Sequence, residues 1–241
     1  MPAEQLSPAR VVRHTFGMIA RDREVFLLLA LLLAGLPAWL AGMVAPPPPP
    51  PDTPLVLTGE LVWRELVPSF VAMLLAGLLQ AMLIHQALTQ AAGRPMPLGA
   101  SFARALQVLL PLVALFLLEG LAVGIGLAML LVPGIILLCC WAVSLPVLVM
   151  EPAGPIEALR RSTALTRGNR GAVLTLGVMF VGMNAVVLIA AWFLATLFLL
   201  AGPLSVLALA VSGLANAVLS VLTAAGMAAL YLELRRIAPA A

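Results

Sequence analysis

The chain has 241 residues, of which 63% are hydrophobic and only 10% are charged, and its mean hydropathy is +1.14. Roughly a quarter of a typical soluble globular sequence is charged, so this composition excludes a soluble domain and predicts a membrane protein. The net charge of +3 comes from 13 arginines without any lysine. These arginines flank apolar stretches, which indicates membrane orientation and anionic lipid headgroups rather than nucleic acid.

Residues 1–24 predict a cytoplasmic amphipathic arm. Within Pro8–Ala20, helical spacing places apolar side chains such as Val11 and Phe16 on one face and the arginines on the other. This pattern is typical of a helix that lies on the membrane surface. The first transmembrane helix is predicted over Val25–Val44, because about 20 apolar residues cross a bilayer core.

An extracytoplasmic proline-rich loop is predicted over residues 46–65. It opens with six consecutive prolines, Pro46–Pro51, which favour an extended polyproline II segment. Such a segment is either a docking strip for an aromatic groove or a stiff spacer, and the sequence favours the spacer.

The remaining apolar stretches predict five more spans. The second, fifth and sixth spans are predicted over Leu66–Leu88, Val173–Leu200 and Pro203–Leu232. Ala105–Met150 is long enough for two crossings with a break at Leu131–Gly134, since proline and glycine interrupt helices. The fourth span, Gly134–Met150, is short and contains Pro146, which predicts a kinked or partly re-entrant helix.

The arginines predict the orientation of these six spans. Twelve of the 13 lie in the arm, the even-numbered loops and the tail, and only Arg64 lies in the first loop. Arginine-rich segments stay in the cytoplasm. The sequence therefore predicts one all-α transmembrane domain, residues 1–241, in a bacterial inner membrane with both termini cytoplasmic.

A second cytoplasmic interfacial helix, rich in arginine, is predicted over residues 151–172. Aligning Pro8 with Pro155 superposes Arg13 on Arg160, and a shorter similarity starts at Pro97. The alignment predicts a threefold repeat of surface helix plus transmembrane hairpin. The alternative is that any helix entering a bilayer has similar flanks.

The sequence contains no recognisable catalytic or metal-binding motif. His14 and His85 are the only histidines, and no pattern pairs a nucleophile with a base. The adjacent Cys139 and Cys140 have neither disulfide nor zinc spacing and are predicted to be buried hydrophobes. We therefore predict no enzymatic activity, no cofactor and no metal.

Glu119 is the one ionisable residue predicted deep inside a span. Such residues usually face the bundle interior and mark function. It is either a site of proton or ion coupling or a structural carboxyl, and Asn184, Asn216 and Gln80 are its predicted partners. Gly120 and Gly124 follow at small-residue spacing, which predicts that the third span packs in the core.

One stretch resembles a known family. Its signature residues are Pro133, Gly134, Trp141, Pro146, Glu151, Glu157 and Ser162. In these it resembles the bacterial glycerophosphoryl diester phosphodiesterase membrane-domain family, over Pro133–Gly168. The resemblance implies the membrane part only, since no segment could supply the catalytic carboxylates and histidines, and it implies proximity to lipid-headgroup metabolism.

Two functions follow as expectations. The first is a non-catalytic protein that engages anionic lipid headgroups or another membrane component, with the candidate residues Arg160, Arg161, Arg167 and Arg170. The second is a small transporter for a hydrophobic or lipid substrate that uses the broken fourth helix and Glu119. The sequence leaves protein partners and oligomeric state open.

Overall fold

The computed structural model describes residues 6–21, 23–35, 63, 67–94, 96–200 and 205–237. Within these ranges the chain is helical and has no β-strand, which confirms the all-α fold class. In chain order the α-helices are α1 Pro8–Arg21, α2 Arg23–Ala30, α3 Val67–Ala91, α4 Leu98–Gln107, α5 Leu109–Met129, α6 Leu131–Cys140, α7 Ser144–Met150, α8 Pro155–Thr166, α9 Arg170–Leu200 and α10 Ser205–Ile237. A π-helical turn, Leu31–Gly35, continues α2.

Five stretches of the described chain are long and apolar enough to cross a membrane, which supports a multi-pass membrane protein. They are Val67–Ala91, Leu109–Met129, Leu131–Met150, Arg170–Leu200 and Leu207–Ile237. These correspond to the predicted second to sixth spans. The predicted first span begins in α2, but its residues 36–44 lie outside the described residues, as do the Pro46–Pro51 tract and residues 201–204.

Three short helices, α1, α4 and α8, each precede a longer apolar stretch. Pro8 and Pro155 are the first residues of α1 and α8, and Pro97 is the N-cap of α4. Proline suits a helix start because its missing N–H has no partner there. Both segments predicted as surface helices are thus helical, and their position on the membrane surface stays a prediction. In α1, Val11 is buried against the bundle, whereas Phe16 on the predicted apolar face is exposed.

The C-terminal helix α10 is the centre of the bundle. It packs against α1, α2, the π-helical turn, α3 and α9. Its buried face carries small residues, which let neighbouring helices approach closely: Ala217, Ala224, Ala225, Ala228 and Ala229. By contrast, α5 and α9 are the least buried of the five candidate spans, so many of their large apolar side chains are exposed.

The third and fourth spans form a close hairpin, although not through the predicted glycines. Gly120 and Gly124 are exposed, and a Cβ at either would have no neighbour within 4 Å. The prediction that their face packs in the core was wrong. The close approach lies nearer the turn, where a Cβ on Gly126 would be 3.1 Å from the Cα of Gly134.

The fourth span is broken, as predicted, but at a different residue. Helix α6 ends at Cys140 and α7 begins at Ser144, so the interruption covers Trp141–Val143. Pro146 lies in the first turn of α7, where a proline needs no hydrogen-bond partner. The prediction that Pro146 itself kinks this helix was therefore wrong.

Candidate functional site

A cavity of about 930 Å³ lies beside the broken fourth span. Helices α5, α6, α7, α9 and α10 contribute to its wall, with Met73 from α3. Most of the lining is apolar: Phe116, Val123, Ile135, Leu138, Leu145, Val173, Leu176, Val178, Val181, Met227 and Leu230. Its few polar side chains include Glu119, Ser144, Asn184 and Thr223. A large apolar cavity with a small number of polar groups is typical of a site for a hydrophobic ligand.

Glu119 and Ser144 form the polar centre of this cavity. The hydroxyl of Ser144, at the first residue of α7, donates a hydrogen bond to Oε1 of Glu119 on α5. Ser144 is only 2% exposed, whereas Glu119 is partly exposed towards the cavity. Glu119 therefore has a polar partner, as predicted, but the partner is Ser144, and Glu119 itself is only partly buried.

The three predicted partners donate their hydrogen bonds to backbone carbonyls and not to Glu119. Asn184 and Asn216 each donate to a carbonyl of the preceding turn of their own helix, that of Phe180 and that of Ser212. Gln80 donates to the carbonyl of Ser220. A polar side chain can satisfy its hydrogen-bonding capacity with a backbone carbonyl of its own helix, so residue type alone does not identify the partner of Glu119.

Helix α8 holds the break of the fourth span. Ser162 donates to the carbonyl of Cys140 at 2.8 Å and accepts the backbone N–H of Val143 at 3.3 Å. Thr166 also donates to the carbonyl of Cys140, at 3.3 Å. Inside a membrane, backbone groups released by a broken helix must find partners within the protein. The two hydroxyls of α8 provide these partners.

The other signature residues lie at separate positions along α6, the break and α8, and they do not form one cluster. Gly134 is required by close packing, since a Cβ there would lie 2.8 Å from the backbone nitrogen of Leu127. Pro133 lies in the first turn of α6. Trp141 lies at the break and lines the cavity, and Glu157 is exposed on α8.

The four candidate arginines have different environments. Arg161 is partly buried, and its Nε lies 3.4 Å from Oε2 of Glu151. The other three arginines are exposed. Arg160 lies on α8, Arg167 is the C-terminal cap of α8, and Arg170 is the first residue of α9. Three of the four predicted headgroup residues are thus accessible, while Arg161 belongs to an ion pair.

A network that the sequence interpretation missed joins both ends of the described chain. Glu233 on α10 is 2% exposed, and its Oε1 lies 2.9 Å from Nη1 of Arg10 and 3.2 Å from Nη2 of Arg236. Tyr231, two residues before Glu233 on the same helix, donates to Oε1 of Glu151 at 2.8 Å. We call this end of the bundle, which carries α1, α8 and the last turn of α10, the arginine-rich end.

The signal for this network was present in the sequence. Glu233 is an acidic residue at the end of a long apolar helix, two residues before Arg235 and three before Arg236. Acidic residues beside a cationic segment at a span end are candidates for ion pairs.

A histidine and a serine also meet at this end, between α3 and α4. Nδ1 of His85 lies 2.9 Å from Oγ of Ser101, and the Ser101 hydroxyl donates to Oε1 of Gln86. Ser101 is fully buried, so this hydrogen-bonded group joins α3 to α4.

Neither potential metal ligands nor similar proteins indicate a known activity. In the described ranges, no three His, Cys, Asp or Glu residues lie close enough to hold a metal ion. No protein-family model matches the chain, and no curated protein or solved structure is significantly similar to it. The resemblance to the membrane-domain family therefore stays a prediction, and the cavity is the best-defined candidate site.

Proposed function

We propose that the chain is a non-catalytic protein of the bacterial inner membrane that binds a hydrophobic or lipid molecule in the cavity beside the broken fourth span. The observation that carries this proposal is the cavity of about 930 Å³, whose mostly apolar wall surrounds the Glu119–Ser144 pair. Its volume lies in the range of ordinary ligand sites. Apolar cavities attract apolar ligands, so a lipid or another hydrophobic molecule is the natural occupant.

Six spans with both termini in the cytoplasm are part of this proposal. The Arg10–Glu233 ion pair places α1 beside the end of α10, and two chain ends on one side require an even number of crossings. Five candidate spans are described, and Val25–Val44 supplies the sixth. The arginines at this end favour the cytoplasm.

The three short helices support a threefold unit of surface helix plus hairpin. Helices α1, α4 and α8 each begin at or next to a proline and lead into an apolar stretch. The alternative, similar flanks imposed on any helix that enters a bilayer, predicts the same positions. The resemblance to the phosphodiesterase membrane-domain family adds lipid-headgroup metabolism as the context.

The broken fourth helix favours a second candidate, a transporter for a lipid or hydrophobic substrate. Broken helices line substrate sites in transporters, and here Trp141, Ala142 and Ser144 at the break all line the cavity. A transporter, unlike a simple binding protein, would move a fluorescent lipid between the leaflets of proteoliposomes.

The binding proposal is tested by filling the cavity. A Cβ at Gly177 would have no neighbour within 4 Å, although this residue lines the cavity, so Gly177→Leu should fit and occupy ligand space. Gly182→Leu is the matched control, because Gly182 lies on the same helix with equally open surroundings but outside the lining. Native mass spectrometry should detect a retained hydrophobic molecule on the parent protein and on Gly182→Leu, and its loss from Gly177→Leu. Equal retention by all three proteins, or none by the parent, would refute cavity binding.

A further inference from the structure

We propose that the cavity and Arg170 form a single site for an anionic phospholipid, with an acyl chain in the cavity and the phosphate at Arg170. This inference rests on the proposed function and deepens it, because it names the class of ligand and the residue that selects it.

Helix α9 connects the cavity to Arg170 along one face. Leu174, Gly177, Val181 and Asn184 all line the cavity, and they follow Arg170 at positions i+4, i+7, i+11 and i+14. Residues at this spacing lie on the same side of a helix. Arg170 therefore lies above the cavity at its arginine-rich end.

The length of this face fits one leaflet of a bilayer. Ten residues separate Leu174 from Asn184, which corresponds to about 15 Å along the helix axis. The hydrocarbon core of a bilayer is about 30 Å thick, so one leaflet contributes about half of that length. A lipid with its headgroup at Arg170 would thus extend its chain along the lined face to the depth of Asn184.

The cavity also opens sideways to the bilayer. Leu138, Val178 and Val181 line it and are nevertheless 52%, 64% and 70% exposed, so their other side faces lipid. Gly120 and Gly177 leave open space on the α5 and α9 sides of the wall. Phospholipids of the same leaflet are therefore the ligands with the shortest path into the cavity.

The charge at the head of this path favours a phosphate. Arg167 and Arg170 are exposed there, and guanidinium groups bind phosphate oxygens with two parallel hydrogen bonds. Of the two acidic residues on the nearby segment, Glu151 already contacts Tyr231 and Arg161, and Glu157 is exposed on α8. The result is a cationic entrance above an apolar chamber, which suits an anionic lipid better than a neutral one.

The test uses the purified full chain in detergent, with three probes titrated by native mass spectrometry. The probes are phosphatidylglycerol, a diacylglycerol with the same acyl chains, and oleate. We expect phosphatidylglycerol to bind the parent more tightly than the diacylglycerol, on the order of tenfold, which is the contribution of one charged hydrogen-bonding pair. Arg170→Gln should remove this preference without weakening diacylglycerol binding.

Arg160→Gln is the matched control, since Arg160 is an equally exposed arginine that lies outside the α9 face. It should retain the preference. Equal effects of the two variants, or no effect of Arg170→Gln, would overturn the assignment of the headgroup to Arg170. Tighter binding of oleate than of phosphatidylglycerol would overturn the proposal that the ligand is a phospholipid. Each of these outcomes leaves cavity binding intact if Gly177→Leu still weakens all probes. Failure of Gly177→Leu to weaken any probe would instead refute the proposed function.

Discussion

The environment of Glu119 was predictable from the sequence, but its hydrogen-bond partner was not. A lone carboxylate in an apolar stretch predicts a polar environment, because an unpartnered polar group inside a membrane is costly, and the structure provides Ser144 and the cavity. The partner was not predictable. Ser144 lies 25 residues from Glu119 and faces it only because the fourth span breaks just before it.

Substitutions of Glu119 should therefore distinguish the effect of side-chain shape on stability from the effect of the hydrogen bond to Ser144. Glu119→Gln retains an acceptor for the Ser144 hydroxyl and should keep the thermal stability of the parent in detergent. Glu119→Leu leaves that buried hydroxyl without its partner and should lower the free energy of unfolding by about 1–3 kcal/mol. Glu157→Leu, at an exposed position of α8, is the control for loss of an acidic residue. Equal stability of both Glu119 variants would mean that the hydrogen bond contributes nothing.

The elements were predictable where local chemistry determines them. Prolines mark the starts of α1, α4 and α8, and hydropathy marks the long helices. The break in the fourth span is different, because it depends on Ser162 and Thr166, which lie after the break in the chain and bind its backbone. Pro146 was the visible local signal, but a first-turn proline does not bend a helix.

Removing a hydroxyl of α8 should loosen this break. Ser162→Ala removes the hydroxyl that accepts the N–H of Val143, so we expect the free energy of unfolding to fall by about 1 kcal/mol. Hydrogen–deuterium exchange should rise at Trp141–Val143. Thr163→Ala is the matched control, since Thr163 donates only to the carbonyl of Leu159 in its own helix. Unchanged exchange at the break in Ser162→Ala would show that α8 does not hold it.

At the scale of the whole molecule, hydropathy and arginine distribution predicted the class and the approximate spans. They could not predict the cavity, because a cavity depends on how far apart packed helices lie and not on the composition of any one of them. The small residues of α10 bring α1, α2 and α3 together, while α5 and α9, which line the cavity, are much less buried.

The proposed topology gives a direct prediction at this scale. In a background without Cys139 and Cys140, single cysteines at Pro48 and Ala201 should react with a membrane-impermeant thiol reagent added to intact cells. A cysteine at Gly168, in the turn after α8, should react only after the cells are opened. Labelling at Gly168 from outside would exclude the proposed orientation.

The central claim, that a lipid occupies the cavity, is tested most directly by photo-crosslinking with a phospholipid that carries a diazirine in its acyl chain. Three residues that line the cavity, Leu145, Val173 and Leu176, are buried in the bundle. Lipids around the protein cannot reach them, whereas a diazirine on a chain that enters the cavity would lie beside them. We expect peptide mapping to find adducts at these residues in the parent and to find few of them in Gly177→Leu. Adducts confined to lipid-facing residues such as Trp192, which is 71% exposed, would contradict the account.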